Sequence, residues 1–172
     1  MLRDPGSVEH ADPVAFFITW TTFGSWLPGD VRGWADSRGV MHLPAERLRA
    51  SVARRLAQSA VTLTVADRGA VRQSIETLCR IRGWHLHAVN CRLQHVHVVI
   101  TASGRMPEAV MQQLKMWASR GLEAVVDESR GSRRSQHRWW TRGGSLRRVF
   151  GERDLEAVVT YVRECQDKGR RE

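Results

Sequence analysis

Residues 84–101, WHLHAVNCRLQHVHVVIT, decide how this chain folds. The second half, His95–Thr101, is an unbroken run of β-branched and imidazole side chains and is the clearest strand in the sequence. Trp84–Cys91 forms a second strand, and Arg92-Leu93-Gln94 is short enough to return the chain as an antiparallel partner. Side chains two apart in a strand share a face and lie about 6.5–7 Å apart. His95 and His97 can therefore converge on one ion while Val96 anchors the strand in the core from the other side. Imidazole is the commonest protein metal ligand. His85 and His87 repeat the spacing on the preceding strand. With the turn centred on 92–94, all four histidines have the same parity, and a four-histidine zinc site, serving a hydrolase or a sensor, is a rival expectation.

Upstream, Val14–Thr22 (VAFFITWTT) is β-branched and aromatic and predicts a central strand. A turn-rich segment follows, Gly24–Gly39, in which Trp26 and Trp34 either plug the loop onto the core or form a stacking surface. Residues 45–60 place Leu48, Val52, Leu56 and Ala60 on one side of a helix. Residues 67–82 do the same with Val71, Ile75, Leu78 and Cys79. Downstream, Pro107 opens a helix, where a missing N–H costs nothing. Its apolar stripe is Val110, Met111, Leu114, Trp117, Ala118, Leu122 and Val125, with Gln112, Lys115 and Ser119 on the wet face. Ser129–Arg138 is a basic loop, Trp139–Phe150 a short strand or hairpin around Gly143-Gly144, and a last helix runs from about Asp154. Strand, helix, strand, strand, helix, strand, helix is the order of a ferredoxin-like α+β sandwich, with helices on one face of an antiparallel sheet plus a C-terminal helix. The expected organisation is one domain over residues 14–168, with a flexible N-terminus (1–13) and a short tail (169–172).

The charge balance adds a partner class. Lys plus Arg is 27 against 18 acidic residues, a net charge of +9, and all but two of the cations are Arg. Arginine pairs bidentately with phosphate and stacks on bases, which favours nucleic acid over mere solubility. The candidates are Arg133 and Arg134 in the loop, Arg142 before Gly143-Gly144, Arg147 and Arg148, with Lys115 and Arg120 on the preceding helix. Backbone N–H groups around the Gly-Gly turn could cradle a phosphate. No apolar stretch is long enough to span a bilayer and the first ten residues carry no signal-peptide core, so no membrane partner and a cytoplasmic location are expected, nucleoid-associated when bound to DNA. Three widely spaced cysteines give no metal pair and fit a reducing compartment.

Tyr161 is the single tyrosine. A phenol is a weak nucleophile at neutral pH, and a metal polarising a scissile phosphate can compensate. On an ideal helix Tyr161 lies about 100° from the centre of the stripe formed by Leu155, Val158, Val159 and Val162, compatible with a nucleophile or with an ordinary flank residue.

Together these pieces resemble the HUH endonuclease superfamily, specifically the single-tyrosine transposases of small insertion sequences and their REP-associated relatives. The resemblance is carried by QHVHVVI (Gln94–Ile100), QQLKMWASR (Gln112–Arg120), WWTRGGSLRRVF (Trp139–Phe150), AVVTYVRECQ (Ala157–Gln166) and the opening FFITWTTFGSWLPGDVRGW (Phe16–Trp34). It implies a homodimer that cuts and rejoins single-stranded DNA at hairpin-flanked or palindromic ends through a covalent phosphotyrosine. It further implies Mg²⁺ or Mn²⁺ held by His95 and His97, Tyr161 as nucleophile, and Gln166 as third ligand. In relatives the tyrosine helix can complete the partner subunit's site. Two positions depart from the pattern. Where Gln often stands four residues after Tyr, this chain has Cys165; Gln166 lies about 140° around the helix from Tyr161, and Glu164, about 60° away on the other side, is a rival. The residue before the first His, commonly acidic or Asn, is Gln94. Imidazole suits Mn²⁺ better than Mg²⁺. The alternative function is a non-cleaving or domesticated protein of the same fold that binds DNA or RNA hairpins.

Overall fold

In the computed structural model, which describes residues 12–36, 38–130 and 137–164, the hairpin at 84–101 forms and a third strand pairs beside it. β1 (Ala15–Thr21) and β5 (His95–Thr101) run antiparallel down the middle of a four-stranded sheet. β4 (His85–Cys91) lies outside β5 and β6 (Ser145–Val149) outside β1, giving the order β4-β5-β1-β6, all antiparallel. With α2 (Val65–Arg82) between β1 and β4 and α3 (Pro107–Arg130) between β5 and β6, this is the ferredoxin-like topology that the element order implies.

Alternation along β1 gives the sheet two working faces. Phe16, Ile18 and Trp20 join Val96, Val98 and Ile100 of β5 beneath α2 and α3, whose Val71, Ile75, Leu78, Val110, Leu114, Ala118 and Leu122 complete the main core. Ala15, Phe17, Ala88, Val99 and Val149 project from the opposite face, under α4 (Glu152–Glu164). A buried β5 must be apolar on both faces except where chemistry intervenes, which is why HVHVVIT lacks a clean alternation of polar and apolar residues. Helix α2 is started by a Thr64/Asp67 capping box and stopped by Gly83 in the left-handed region. Cys79 and Cys91 are buried, and burial pushes both thiols up, to about 11 and about 12. They act as small hydrophobes.

Several expectations change. The helix foreseen over 45–60 stops early, as α1 (Glu46–Arg54), and buries no residue. The chain then extends so that Val61 and Leu63 enter the core, their N–H groups donating to Phe23 O and Leu93 O. The loop at 24–39 folds on itself: Trp26 Nε1 donates to Gly33 O, and Trp34, in the two-residue strand β2 (Trp34–Ala35), stacks on His42 of β3 (Met41–His42) at 4.3 Å. The wet face of α3 is covered in part, because Trp140 Nε1 donates to Lys115 O and to Ser119 Oγ, while Gln112 stays exposed. The basic loop is shorter than foreseen at its start, since α3 continues to Arg130. No described helix is long and apolar enough to cross a membrane.

Gly144 lets the chain enter β6. A Cβ there would meet Thr19 O of β1 at 2.7 Å and Met111 Sδ at 2.6 Å, whereas at Gly143 it would meet nothing within 4 Å. Gly144→Ala is expected to lower stability by about 1–3 kcal/mol through overpacking. Gly143→Ala should leave the urea midpoint unchanged, which makes it the internal control.

Candidate active site under the C-terminal helix

His95 and His97 leave β5 on the α4 side of the sheet, their ring centroids 4.7 Å apart. Register places His97 between Thr19 of β1 and Asn90 of β4. Thr19 Oγ1 and His97 Nδ1 are hydrogen-bonded at 2.9 Å, which leaves Nε2 as the ring's other ligand atom. Phe17 stacks on the His97 ring at 5.8 Å. The imidazole is 8% exposed, and burial first, then the charges of His95 and Arg92, pull its pKa down to about 4. It is neutral at physiological pH, the form in which imidazole can ligate a cation.

Tyr161 stands on the same side. Its ring meets Phe17 edge-on at 6.2 Å and His97 edge-on at 6.4 Å, and it is 47% exposed. Val158 and Val162 bury the helix against Ala88, Val99 and Val149, and this turns the tyrosine flank of α4 toward the histidines. A histidine pair, a phenol and open solvent therefore meet within one chain.

The ligand set is open beyond the pair. Among the described residues no group of three or more His, Cys, Asp and Glu side chains could hold a metal ion. Glu164 is an exposed residue at the end of α4, while Gln166 and Cys165 lie outside the described residues. Two adjacent imidazoles, one neutral through burial and oriented by Thr19, suit a borderline divalent ion whose other positions water and phosphate oxygens would fill.

The four-histidine site does not form. The register puts His85 on the α4 face, as the shared parity implies, and a bulge between Leu86 and Ala88 leaves His87 without a register partner on β5, but both sit at the Thr101 end of that strand. His85 pairs with Thr101, whereas His95 pairs with Thr21 at the other end of β5, about 20 Å away at the usual rise. His85 and His87 contact each other at 4.4 Å, and His87 Nε2 is bonded to Thr101 Oγ1.

The model for the family described as "Transposase IS200 like" matches residues 52–165, about two thirds of the sequence. The chain belongs to that family. No curated protein matches. Two solved structures are similar in shape. One is a protein of Deinococcus radiodurans R1 assigned as a transposase, 13% identical, with 94% of this chain and 95% of that one covered and a TM-score of 0.47. The other is a REP-associated tyrosine transposase bound to a REP hairpin, 10% identical, with coverages of 93% and 70% and a TM-score of 0.48. The assignment rests on the family model, not on these two.

The cationic candidates of this transposase separate by face. Arg147 is opposite Phe17 in the register, on the histidine side, and pairs with Asp154 of α4 at 2.5 Å. Arg148 is opposite Phe16 and lines a cleft with Arg105 and Met106 at the far end of the sheet. Arg142 is exposed, and Arg120 lies over the Trp117 ring. Arg133 and Arg134 lie outside the described residues. Lys115 is engaged internally, where its Nζ donates to Thr141 O at 2.7 Å, Gly143 O at 2.9 Å and Arg142 O at 3.4 Å. The Gly-Gly turn thus presents carbonyls to an ammonium, the reverse of an N–H cradle for phosphate. Sequence reading missed Thr19, Phe17, Arg92 and Asn90. Thr19, Phe17 and Asn90 matter through cross-strand or helix contacts that no local motif encodes, and Arg92 through its charge on His97.

Lys115→Met would take the ammonium from three carbonyls, of which Gly143 O keeps a long bond from Thr141 Oγ1. It is expected to lower stability by about 1–3 kcal/mol, measured by urea denaturation, and a variant as stable as the parent would show that the ammonium does not staple this loop.

Proposed function

We propose that this transposase cleaves and rejoins single-stranded DNA through Tyr161, with His95 and His97 holding a divalent cation, Mn²⁺ or Mg²⁺, beside it. The observation that carries this reading is the edge contact of the Tyr161 ring with His97, a buried neutral imidazole oriented by Thr19. The cation would supply Lewis-acid polarisation of the scissile phosphate and charge stabilisation during transfer. Tyr161 Oη attacks phosphorus in line, and the P–O bond to the departing strand breaks as the O–P bond to tyrosine forms. The phenol proton is lost to solvent and the departing oxygen gains one. The phosphotyrosine retains the bond energy, so a strand hydroxyl can later displace it and rejoin the DNA. Arg147 and Arg92, whose charges lie on the histidine side, are the residues we assign to the DNA backbone nearest the chemistry.

The REP-associated relative was solved with a REP hairpin, and we take hairpin-bearing single-stranded DNA as the substrate class here. A homodimer is the assembly that the resemblance implies. The edge contact of Tyr161 with His97 of its own chain supports a site assembled within one chain.

Purified protein with hairpin-bearing single-stranded DNA and Mn²⁺ is expected to give a covalent adduct stable to denaturing gel electrophoresis. Tyr161→Phe and His97→Ala should each abolish it, and adduct formation by Tyr161→Phe would overturn the nucleophile assignment. Mixing the two inactive variants should restore nothing, since neither chain carries a whole site; recovered activity would mean that the tyrosine acts across a dimer. Thr19→Val, which keeps shape but removes the bond to Nδ1, should weaken Mn²⁺ binding about 10–100-fold by calorimetry. An unchanged affinity would sink the role given to Thr19.

A further inference from the structure

The tyrosine helix is attached to the sheet by little apolar surface for the role it is given: Val158 and Val162 are its buried residues, and Tyr161 itself is half-exposed. A helix held by so narrow an apolar strip can roll and slide, and a nucleophile displaced by an ångström loses most of its advantage. Leu155 and Val159 pack half-buried beside the valines, and the Arg147–Asp154 pair ties down the start of the helix, but two further polar contacts act next to the tyrosine itself. Asn90, opposite His97 in the β4–β5 register, donates from Nδ2 to Val162 O at 2.8 Å. Arg163 donates from Nη2 to His87 O at 2.7 Å. His87 is the bulge residue left out of the β4–β5 register, and its carbonyl accepts from the guanidinium of the helix.

We propose that Asn90 and Arg163 are positioning residues that clamp α4 to β4 of its own chain and so hold Tyr161 over His97. The helix residues involved, Val162 and Arg163, directly follow the tyrosine. On the strand the two anchor points are three residues apart, about 10 Å. One contact limits sliding along β4, and the second limits rotation of the helix about its axis. The bulge gains a purpose from this: without the extra residue, position 87 would pair with β5 like its neighbours. The inference rests on the reading of Tyr161 as nucleophile, but the contacts can be tested without that chemistry.

Because Tyr161 is the single tyrosine, protein labelled with 3-fluorotyrosine gives one ¹⁹F resonance, and this reports on α4 alone. The full chain is compared with Asn90→Leu, Arg163→Met, the double variant and Arg163→Lys. The clamp predicts that Asn90→Leu and Arg163→Met move the resonance toward its position in urea, and the double variant most. Adduct formation at saturating DNA should fall about tenfold or more, with the DNA dissociation constant held within about twofold. Arg163→Lys, which keeps a donor, should recover the wild-type resonance and most of the rate. Arg163 is exposed, so its variants test the proposal even if Asn90→Leu unfolds. An unmoved resonance with an undiminished rate overturns the clamp while leaving the nuclease reading intact. A moved resonance in a protein whose wild type forms no adduct supports the clamp and overturns the nuclease reading.

Discussion

Everything in this protein depends on the register of β1 against β5. It sets Thr19 opposite His97 and Trp20 opposite Val96. A slip of one residue would send every side chain of a strand to the wrong face. Trp20 and Ile18 would leave the α2–α3 core, and Phe17 would lose the histidine ring. Large buried side chains on one face therefore hold the geometry of small polar contacts on the other. Gly144 serves the neighbouring β1–β6 pair, because its lack of a Cβ lets the chain entering β6 approach Thr19 O.

The face opposite the main core poses a packing problem that α4 resolves. Ala15, Ala88, Val99 and Val149 would be an exposed apolar patch without it. Covering them places the helix flank that carries Tyr161 beside the histidines, so one burial event serves stability and assembles the site. The same cover explains the state of His97. Burying an imidazole costs free energy unless its polar atoms are bonded, and Thr19 offsets part of that cost at Nδ1 while burial keeps the ring neutral. A neutral, oriented imidazole is a better ligand than an exposed one that titrates near physiological pH.

Much of this was legible in the sequence, and the limits have physical causes. Periodicity disclosed α2, α3 and α4, because each buries a stripe that reports its own period, while β1 and β5 were read from their β-branched and aromatic content and β4 from its place before a short turn. Pairing His95 with His97 followed from strand alternation alone. The helix over 45–60 misled because Leu56 and Ala60 continue a helical stripe that the chain abandons to bury Val61 and Leu63. The four histidines fail to converge because His85 and His87 sit against Thr101, at the opposite end of β5 from His95, a separation that parity does not report. Thr19 and Asn90 were invisible for a deeper reason: their roles exist through the strand order β4-β5-β1-β6, and strand order is a global property.

Lysine and arginine divide their labour here on chemical grounds. Lys115 is one of two lysines among 27 cations, and it is committed to three carbonyls that converge from one turn. A compact ammonium with three rotatable donors can satisfy such a cluster, whereas a planar guanidinium projects its donors in a fixed fork. Arginine is used where a flat, bidentate or edge-on donor is wanted. Arg147 meets the carboxylate of Asp154 across the histidine face, and Arg72 and Arg163 donate to carbonyls along β4. An edge strand with such carbonyls engaged is less open to pairing with a foreign strand. The positive charge of this chain is thus partly structural. The bare excess of +9 therefore overstates how many side chains are uncommitted to the fold.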